Sequence, residues 1–146
     1  MTPPLHLEHL PEHERHIVAL MSRSPLPFNT RLKPEQRLTI RVADELRKLT
    51  SEGKYNGVWT HITNEGKRSQ IAGAIAKAMG MIPGAPDFVF AGQWGAGFIE
   101  MKEGKGKLQD TQIYFRSWVQ QHQLGYATCT SVESVLDTLR EWGALV

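Results

Sequence analysis

The sequence has little cysteine, no long apolar run and almost no excess charge. Cys129 is the single cysteine among 146 residues, so an intrachain disulfide and a cysteine-rich zinc site are excluded. No signal-peptide core and no apolar run of membrane-spanning length occurs, so we expect a cytoplasmic protein that does not enter a membrane. The formal net charge of +2 is too small to indicate a polyanion partner by itself.

The first thirty residues differ in composition from the rest of the chain. They hold five of the eight prolines and four of the six histidines. We therefore expect an N-terminal extension or linker over 1–30 and one domain over 31–146, which is long enough to bury a core. The spacing of the four histidines resembles a row of metal ligands on one helix: His6, His9, His13 and His16. However, Pro11 interrupts any single helix that would carry all four. We therefore expect these histidines to be exposed and to bind no metal.

Apolar periodicity predicts a small mixed β-sheet flanked by helices, with the element order α-β-α-β-β-α-β-α from Pro34 onwards. Helices are expected at 11–21, 34–49, 67–79, 110–123 and from 131, and strands at 58–62, on both sides of 91–96, and near 126. We expect Asp110 and Ser131 to cap their helices. The side chains expected to face the interior on the third and fourth helices are Ile71, Ile75, Met79, Ile113, Phe115, Trp118 and Val119.

The most informative stretch is the segment from Gly84 to Lys102. Its two apolar runs predict a β-hairpin with a loop longer than two residues. Residues two apart on a strand share a face, so Glu100 and Lys102 point together, and Asp87 opens the preceding strand beside them. Trp94, in the loop, is the tryptophan considered for exposure, stacking or a dimer contact, whereas Trp59, Trp118 and Trp142 are expected in the core.

Two carboxylates at one spot require a cation, a proton or a hydrogen-bond network. Asp87 and Glu100 are suited to hold Mg²⁺, or Mn²⁺ in its place, because hard cations prefer oxygen ligands. Lys102 could then stabilise charge on a phosphate, which indicates metal-assisted hydrolysis of a phosphodiester. A surface salt bridge between Glu100 and Lys102 is the alternative, and it would stabilise the fold little.

The segment Gly84-Ala85-Pro86-Asp87, the Glu100-Met101-Lys102 triplet and Gln112 on the next helix resemble the virus-type replication-repair nuclease (VRR-NUC) domain. That domain belongs to the PD-(D/E)XK superfamily of restriction-endonuclease-like folds. The resemblance covers about residues 34–142, with GAPD in place of the family's GVPD-type turn.

The resemblance implies roles for individual residues. Metal ligands would be Asp87, Glu100, the main-chain carbonyl of Met101, and Glu35 as the first-helix acid. Lys102 would be the catalytic lysine and Gln112 would support the site. The DNA contacts would be His61, Asn64, Lys67, Arg68, Lys105 and Lys107. For Glu35, an acid that complements the helix dipole remains the alternative, and Gln112 could instead be a solvent-facing residue.

The sequence thus predicts a Mg²⁺-dependent DNA endonuclease that is specific for branched DNA, such as Holliday junctions or flaps, and acts in a phage or DNA-repair context. The branch preference and a homodimeric state come from the resemblance. The alternatives are a non-cleaving DNA-binding or scaffold module with the same fold, and a sequence-specific restriction-like endonuclease.

A further basic cluster, which would suit phosphate contacts or a solvated face, comprises Arg37, Arg41, Arg47, Lys48 and Lys54.

Overall fold

The computed structural model describes residues 10–21, 31–62 and 69–146. The described residues form helices and strands in mixed order. They are α1 (Glu12–Met21), α2 (Pro34–Ser51), β1 (Val58–His61), α3 (Gln70–Ala78), β2 (Phe88–Gly92), β3 (Gly95–Met101), α4 (Asp110–Gln121), β4 (Gly125–Cys129) and α5 (Val132–Trp142). The mixed α/β class predicted from the sequence is confirmed.

The four strands form one sheet in the order β1-β2-β3-β4. β2 is antiparallel to both β1 and β3, and β4 is parallel to β3. Because side chains alternate along a strand, one face carries the buried residues Phe88, Phe90, Ile99 and Met101. Cys129 belongs to the same core, and burial raises the pKa of its thiol.

Helices α2 and α5 cover this apolar face. Leu38, Val42 and Leu46 recur at the helical period on α2 and are buried. Ser131 caps α5, since its hydroxyl accepts the N–H of Ser134. The packing of α2 against the sheet fixes the position of its N-terminus.

The β2–β3 hairpin is present, but its loop is shorter than predicted. Gly92 pairs with Gly95, so the ladder continues through the small residues and leaves a two-residue loop of Gln93 and Trp94. Trp94 is half-buried, and of the roles considered for it the structure shows stacking, here against the protein itself. Its indole N–H donates to the carbonyl of Asn56 at 2.7 Å, and its ring stacks on Trp142 at 6.0 Å.

The apolar stripe of α3 does not face the core as predicted. Ile71, Ile75 and Met79 are 75%, 54% and 79% exposed, and Ala76 is the residue of α3 that is buried. Periodicity identifies the apolar side of a helix, but it does not specify which element packs against it.

Helix α4 departs from prediction in three respects. Gln109 is the N-cap, and Asp110 is the first helical residue. The helix ends at Gln121, before the predicted 123. Trp118 is 50% exposed, although Val119 is buried as expected. The face of α4 that meets the sheet is anchored by Phe115, whose ring contacts Phe98 edge-on at 5.6 Å.

Helix α1 lies within the predicted N-terminal extension, and it contacts α2. Val18 and Ala19 are buried in this contact. His13 and His16 are exposed on α1, whereas His6 and His9 lie outside the described residues. Among the helices formed by 10–21, 31–62 and 69–146, none has the length and apolarity needed to span a membrane.

Candidate active site

The β2–β3 hairpin brings two buried carboxylates together. Phe88 pairs with Ile99, so the residue before Phe88 and the residue after Ile99 lie opposite each other. These are Asp87 and Glu100, whose exposed fractions are 6% and 3%. Asp87 Oδ2 accepts the backbone N–H of Met101 at 2.6 Å, a charge-assisted bond that fixes this carboxylate. The pair that the sequence predicted is therefore adjacent.

A third carboxylate reaches the same point from α2. Glu35 lies in the first turn of that helix and is half-buried. Carboxylate oxygens of Glu35, Asp87 and Glu100 all lie within 4.8 Å of one another. We refer to these three residues as the carboxylate cluster.

Lys102 and Gln112 both contact Glu100, the most buried member of the carboxylate cluster. Lys102 Nζ lies 3.7 Å from Glu100 Oε1, with its side chain 14% exposed. Gln112 Nε2 donates to the same oxygen at 2.8 Å. Gln112 therefore faces the cluster, and the prediction that it could be a solvent-facing residue is wrong. The Glu100–Lys102 contact is largely buried, so the alternative of a surface salt bridge is excluded.

Gln112 also belongs to the N-terminal cap of α4. Its Oε1 accepts the backbone N–H of Gln109 at 2.8 Å, which forms half of a capping box. One amide group therefore satisfies a helix-end donor with its oxygen and bonds the carboxylate cluster with its nitrogen. The start of α4 and the rotamer of Glu100 are thereby coupled.

Gly84 allows the turn before β2 to approach α4 closely. Its φ is +88°, and a Cβ at this position would overlap the carbonyl group of Thr111. Between this turn and α4 lies a cavity of about 180 Å³, and Asp87, Glu100 and Gln112 are among its lining residues. The carboxylate cluster is therefore accessible to a small ligand from this side.

The electrostatic effect of the cluster extends to β4. The pKa of Tyr126 is raised to about 12, mainly by burial and next by the charge on Glu100, whereas Arg116 opposes the shift. Tyr126 pairs with Phe98 on the neighbouring strand, two residues before Glu100. The negative charge of Glu100 therefore acts on the neighbouring strand as well.

The remaining predicted site residues are more dispersed. Lys105 and Lys107 are exposed in the loop between β3 and α4. His61 is half-buried and lies edge-on to the ring of Phe88 at 5.2 Å. The side chain of Met101 is buried in the core, and the ligand role of its carbonyl stays a prediction. Three predicted DNA contacts lie outside the described residues: Asn64, Lys67 and Arg68.

The structure adds a basic groove near the start of α2, and two of its residues, Arg37 and Arg41, belong to the basic cluster that the sequence indicated. Two adjoining depressions of about 480 and 500 Å³ share Pro34 and Arg37, and four cations line them: Arg31, Lys33, Arg37 and Arg41. We call these four residues the basic groove. Arg47 and Lys54, from the same stretch of charge, pair instead with Asp44 and Glu52. The helical spacing of Arg37 and Arg41 is the sequence signal that could have separated the two sets.

Fold and site together define a small mixed α/β protein with three clustered carboxylates, a lysine and an amide at the open end of its central β2–β3 hairpin. Comparisons with family models, with curated proteins and with solved structures find no match for this chain.

Proposed function

We propose that this chain is a divalent-metal-dependent nuclease that hydrolyses phosphodiester bonds of DNA. The observation that carries the proposal is the carboxylate cluster with Lys102 beside it. Two of these carboxylates are buried and the third is half-buried, so they repel one another, and a divalent cation would compensate the repulsion. A purely structural core has no need of this arrangement.

The spacing of the cluster suits a small hard cation. Its oxygens lie within 4.8 Å of one another. Two oxygens on opposite sides of Mg²⁺ are about 4.2 Å apart, and on opposite sides of Ca²⁺ about 4.8 Å. Asp87, Glu100 and Glu35 would hold Mg²⁺ or Mn²⁺, which when bound supplies Lewis-acid polarisation of a phosphoryl oxygen and activation of water.

The chain's own residues would orient the reacting groups. The N–H of Met101 holds the Asp87 carboxylate, and Gln112 holds that of Glu100. Lys102 places an ammonium group at the edge of the cluster, where it would neutralise charge that builds on a phosphate in the transition state. Fixed hydrogen bonds keep these groups in place before substrate arrives, which lowers the reorganisation that the reaction requires.

The basic groove supports a nucleic-acid substrate. It begins at Arg31 and follows α2 past Glu35 to Arg41, so a phosphate backbone bound there would pass beside the carboxylate cluster. Such contacts position the substrate without reading its sequence. The exposed Lys105 and Lys107 would extend the positive surface on the loop after β3.

The VRR-NUC-like assignment within the PD-(D/E)XK superfamily is part of this proposal. It relies on the GAPD turn, the Glu100-Met101-Lys102 triplet and Gln112. Preference for branched DNA and a homodimeric state enter through that resemblance.

A cleavage panel tests the proposal. Purified protein would be incubated with labelled four-way junction, flap and duplex DNA in Mg²⁺, in Mn²⁺ and in EDTA. We expect cleavage with metal and none in EDTA. Asp87→Asn and Glu100→Gln, which keep a hydrogen-bonding acceptor, and Lys102→Ala should each lower the cleavage rate at least ~100-fold.

Glu133→Gln is the matched control, since Glu133 is an exposed first-turn acid on α5, and it should retain full activity. Full activity in Asp87→Asn or Glu100→Gln would contradict the site. DNA binding without product in either metal would instead favour the non-cleaving scaffold. Discrete fragments from linear plasmid would favour a restriction-like enzyme.

A further inference from the structure

An apolar cleft lies on α4 next to the candidate active site. Its volume is about 290 Å³, and uncharged residues line it: Ile82, Pro83, Thr111, Tyr114, Phe115 and Trp118. We call it the aromatic cleft. Tyr114 is 71% exposed and Trp118 is 50% exposed, which is unusual for large aromatic side chains unless the surface has a partner.

The Trp118 ring is held by the protein beneath it. Trp118 meets Phe115 edge-on at 5.6 Å, and Phe115 meets Phe98 of β3 in the same manner at 5.6 Å. This row of contacts connects the cleft to the sheet and fixes the orientation of the Trp118 ring. A ligand that stacks there would meet a rigid surface.

The aromatic cleft borders the cavity that Asp87 and Glu100 line. Thr111 lines both, and Pro83 on the cleft side is followed directly by Gly84 on the cavity side. A flexible polymer bound at the carboxylate cluster can therefore place its neighbouring group in the cleft. The neutral lining excludes a phosphate there and suits a flat, uncharged group.

We propose that the aromatic cleft binds an unpaired nucleobase of the substrate, next to the phosphodiester bond that is cut. The inference rests on the proposed nuclease function and names its substrate class as nucleic acid with an unstacked nucleotide at the cleavage point. Aromatic side chains bind unpaired bases by stacking, without regard to their identity. Bases inside an intact duplex are already stacked and cannot enter. The phosphates would follow the basic groove on the other side of the carboxylate cluster.

The test measures binding separately from cleavage. Fluorescence anisotropy would be recorded with the full chain in EDTA, using three labelled probes: a twelve-nucleotide single strand, the matching blunt duplex, and that duplex with one bulged nucleotide. We expect the single strand and the bulged duplex to bind more tightly than the blunt duplex. Tyr114→Ala should weaken these two about 10-fold and leave the blunt duplex within twofold of wild type.

Two variants control for folding and for loss of apolar surface. Tyr114→Phe keeps the ring and should bind like wild type. Ile71→Ala removes an equally exposed apolar side chain, 75% exposed on α3 and outside the cleft, and should also bind like wild type. Circular dichroism would establish that Tyr114→Ala retains its fold.

Each outcome decides the matter. Equal affinity of Tyr114→Ala and wild type for all three probes would overturn the base site. If the protein still cleaves DNA in a metal-dependent manner, the nuclease proposal remains intact. Cleft-dependent binding without cleavage in Mg²⁺ or Mn²⁺ would support the base site and overturn hydrolysis. Sedimentation would also show whether wild type is a dimer and whether Tyr114→Ala is a monomer. If so, and if DNA binding is unchanged, the cleft is the contact site of a second copy of this chain and the inference is overturned. Absence of binding to any probe would overturn the base site, and it would overturn the nuclease proposal as well only if no cleavage occurs in Mg²⁺ or Mn²⁺.

Discussion

Substitution of Glu35 by Gln distinguishes a member of a metal site from an acid that serves only its helix. If Glu35 only complements the dipole of α2, its neutralisation should destabilise the protein by about 0.3–1 kcal/mol. If it is part of the carboxylate cluster, the same change relieves repulsion in the metal-free protein. The two roles therefore predict opposite signs.

The magnitude follows from the spacing of the cluster. Two unit charges 4.8 Å apart repel by about 3 kcal/mol at an effective dielectric constant of about 20. Glu35 faces two such charges, but Lys102 offsets part of the repulsion and Glu35 is half-exposed to water. We expect a net gain of about 1–3 kcal/mol in EDTA, which corresponds to a rise in Tm of about 3–10 °C for a domain of this size.

Thermal unfolding in EDTA and across a Mn²⁺ titration measures both effects. A ligand that binds only the folded state stabilises it by about 2.7 kcal/mol at 100 times its Kd. Wild type should therefore gain stability with Mn²⁺, and Glu35→Gln should gain much less. Glu133→Gln provides the matched control, since it removes a first-turn acid far from the cluster. A fall in Tm in EDTA for Glu35→Gln equal to that of the control, with an unchanged Mn²⁺ effect, would refute the reasoning.

Three further predictions concern stability. Gly84→Ala should destabilise the protein by about 2 kcal/mol or more in urea denaturation, because the added Cβ would overlap Thr111. Gly80→Ala is the control and should cost less, since Gly80 also has a positive φ (+108°) but has open space around it. Equal losses of stability in the two variants would contradict the close approach at Gly84. The Tyr126 phenol has a pKa near 10 in the unfolded chain and about 12 in the folded protein, so the free energy of unfolding should fall as the pH rises between these values. By pH 11.5, Tyr126→Phe should have lost about 1–2 kcal/mol less stability than wild type. Parallel pH profiles of stability for the two proteins would contradict this. Trp94→Phe removes the indole hydrogen bond and should cost about 1–2 kcal/mol, and an unchanged urea midpoint would show that the bond contributes nothing.

The hairpin could be predicted because its determinants are local. The alternation of residues in β3 and the position of Asp87 before β2 set the register, and the register places the two acids opposite each other. Ser131 and the apolar stripe of α2 were likewise readable, since capping and helical periodicity act over a few residues.

What the sequence could not settle depends on long-range packing. Glu35 is more than fifty residues from Asp87, and only the docking of α2 on the sheet brings them together. The exposure of Ile75 on α3 and of Trp118 on α4 depends on the absence of a covering element among the described residues, which no local pattern encodes. The contacts of Trp94 could not be predicted, because its partners, Asn56 and Trp142, lie far away in the chain.

The shared amide of Gln112 has a consequence for which side chain can stand there. Considered as a helix alone, α4 would accept Glu at this third position at least as well as Gln, because a carboxylate completes a capping box and complements the dipole. Beside Glu100, however, that replacement would exchange a donor for a second anion. The identity of this residue is therefore dictated by the neighbouring acid, and a change that secondary-structure rules regard as harmless would push apart the groups that the fold has assembled.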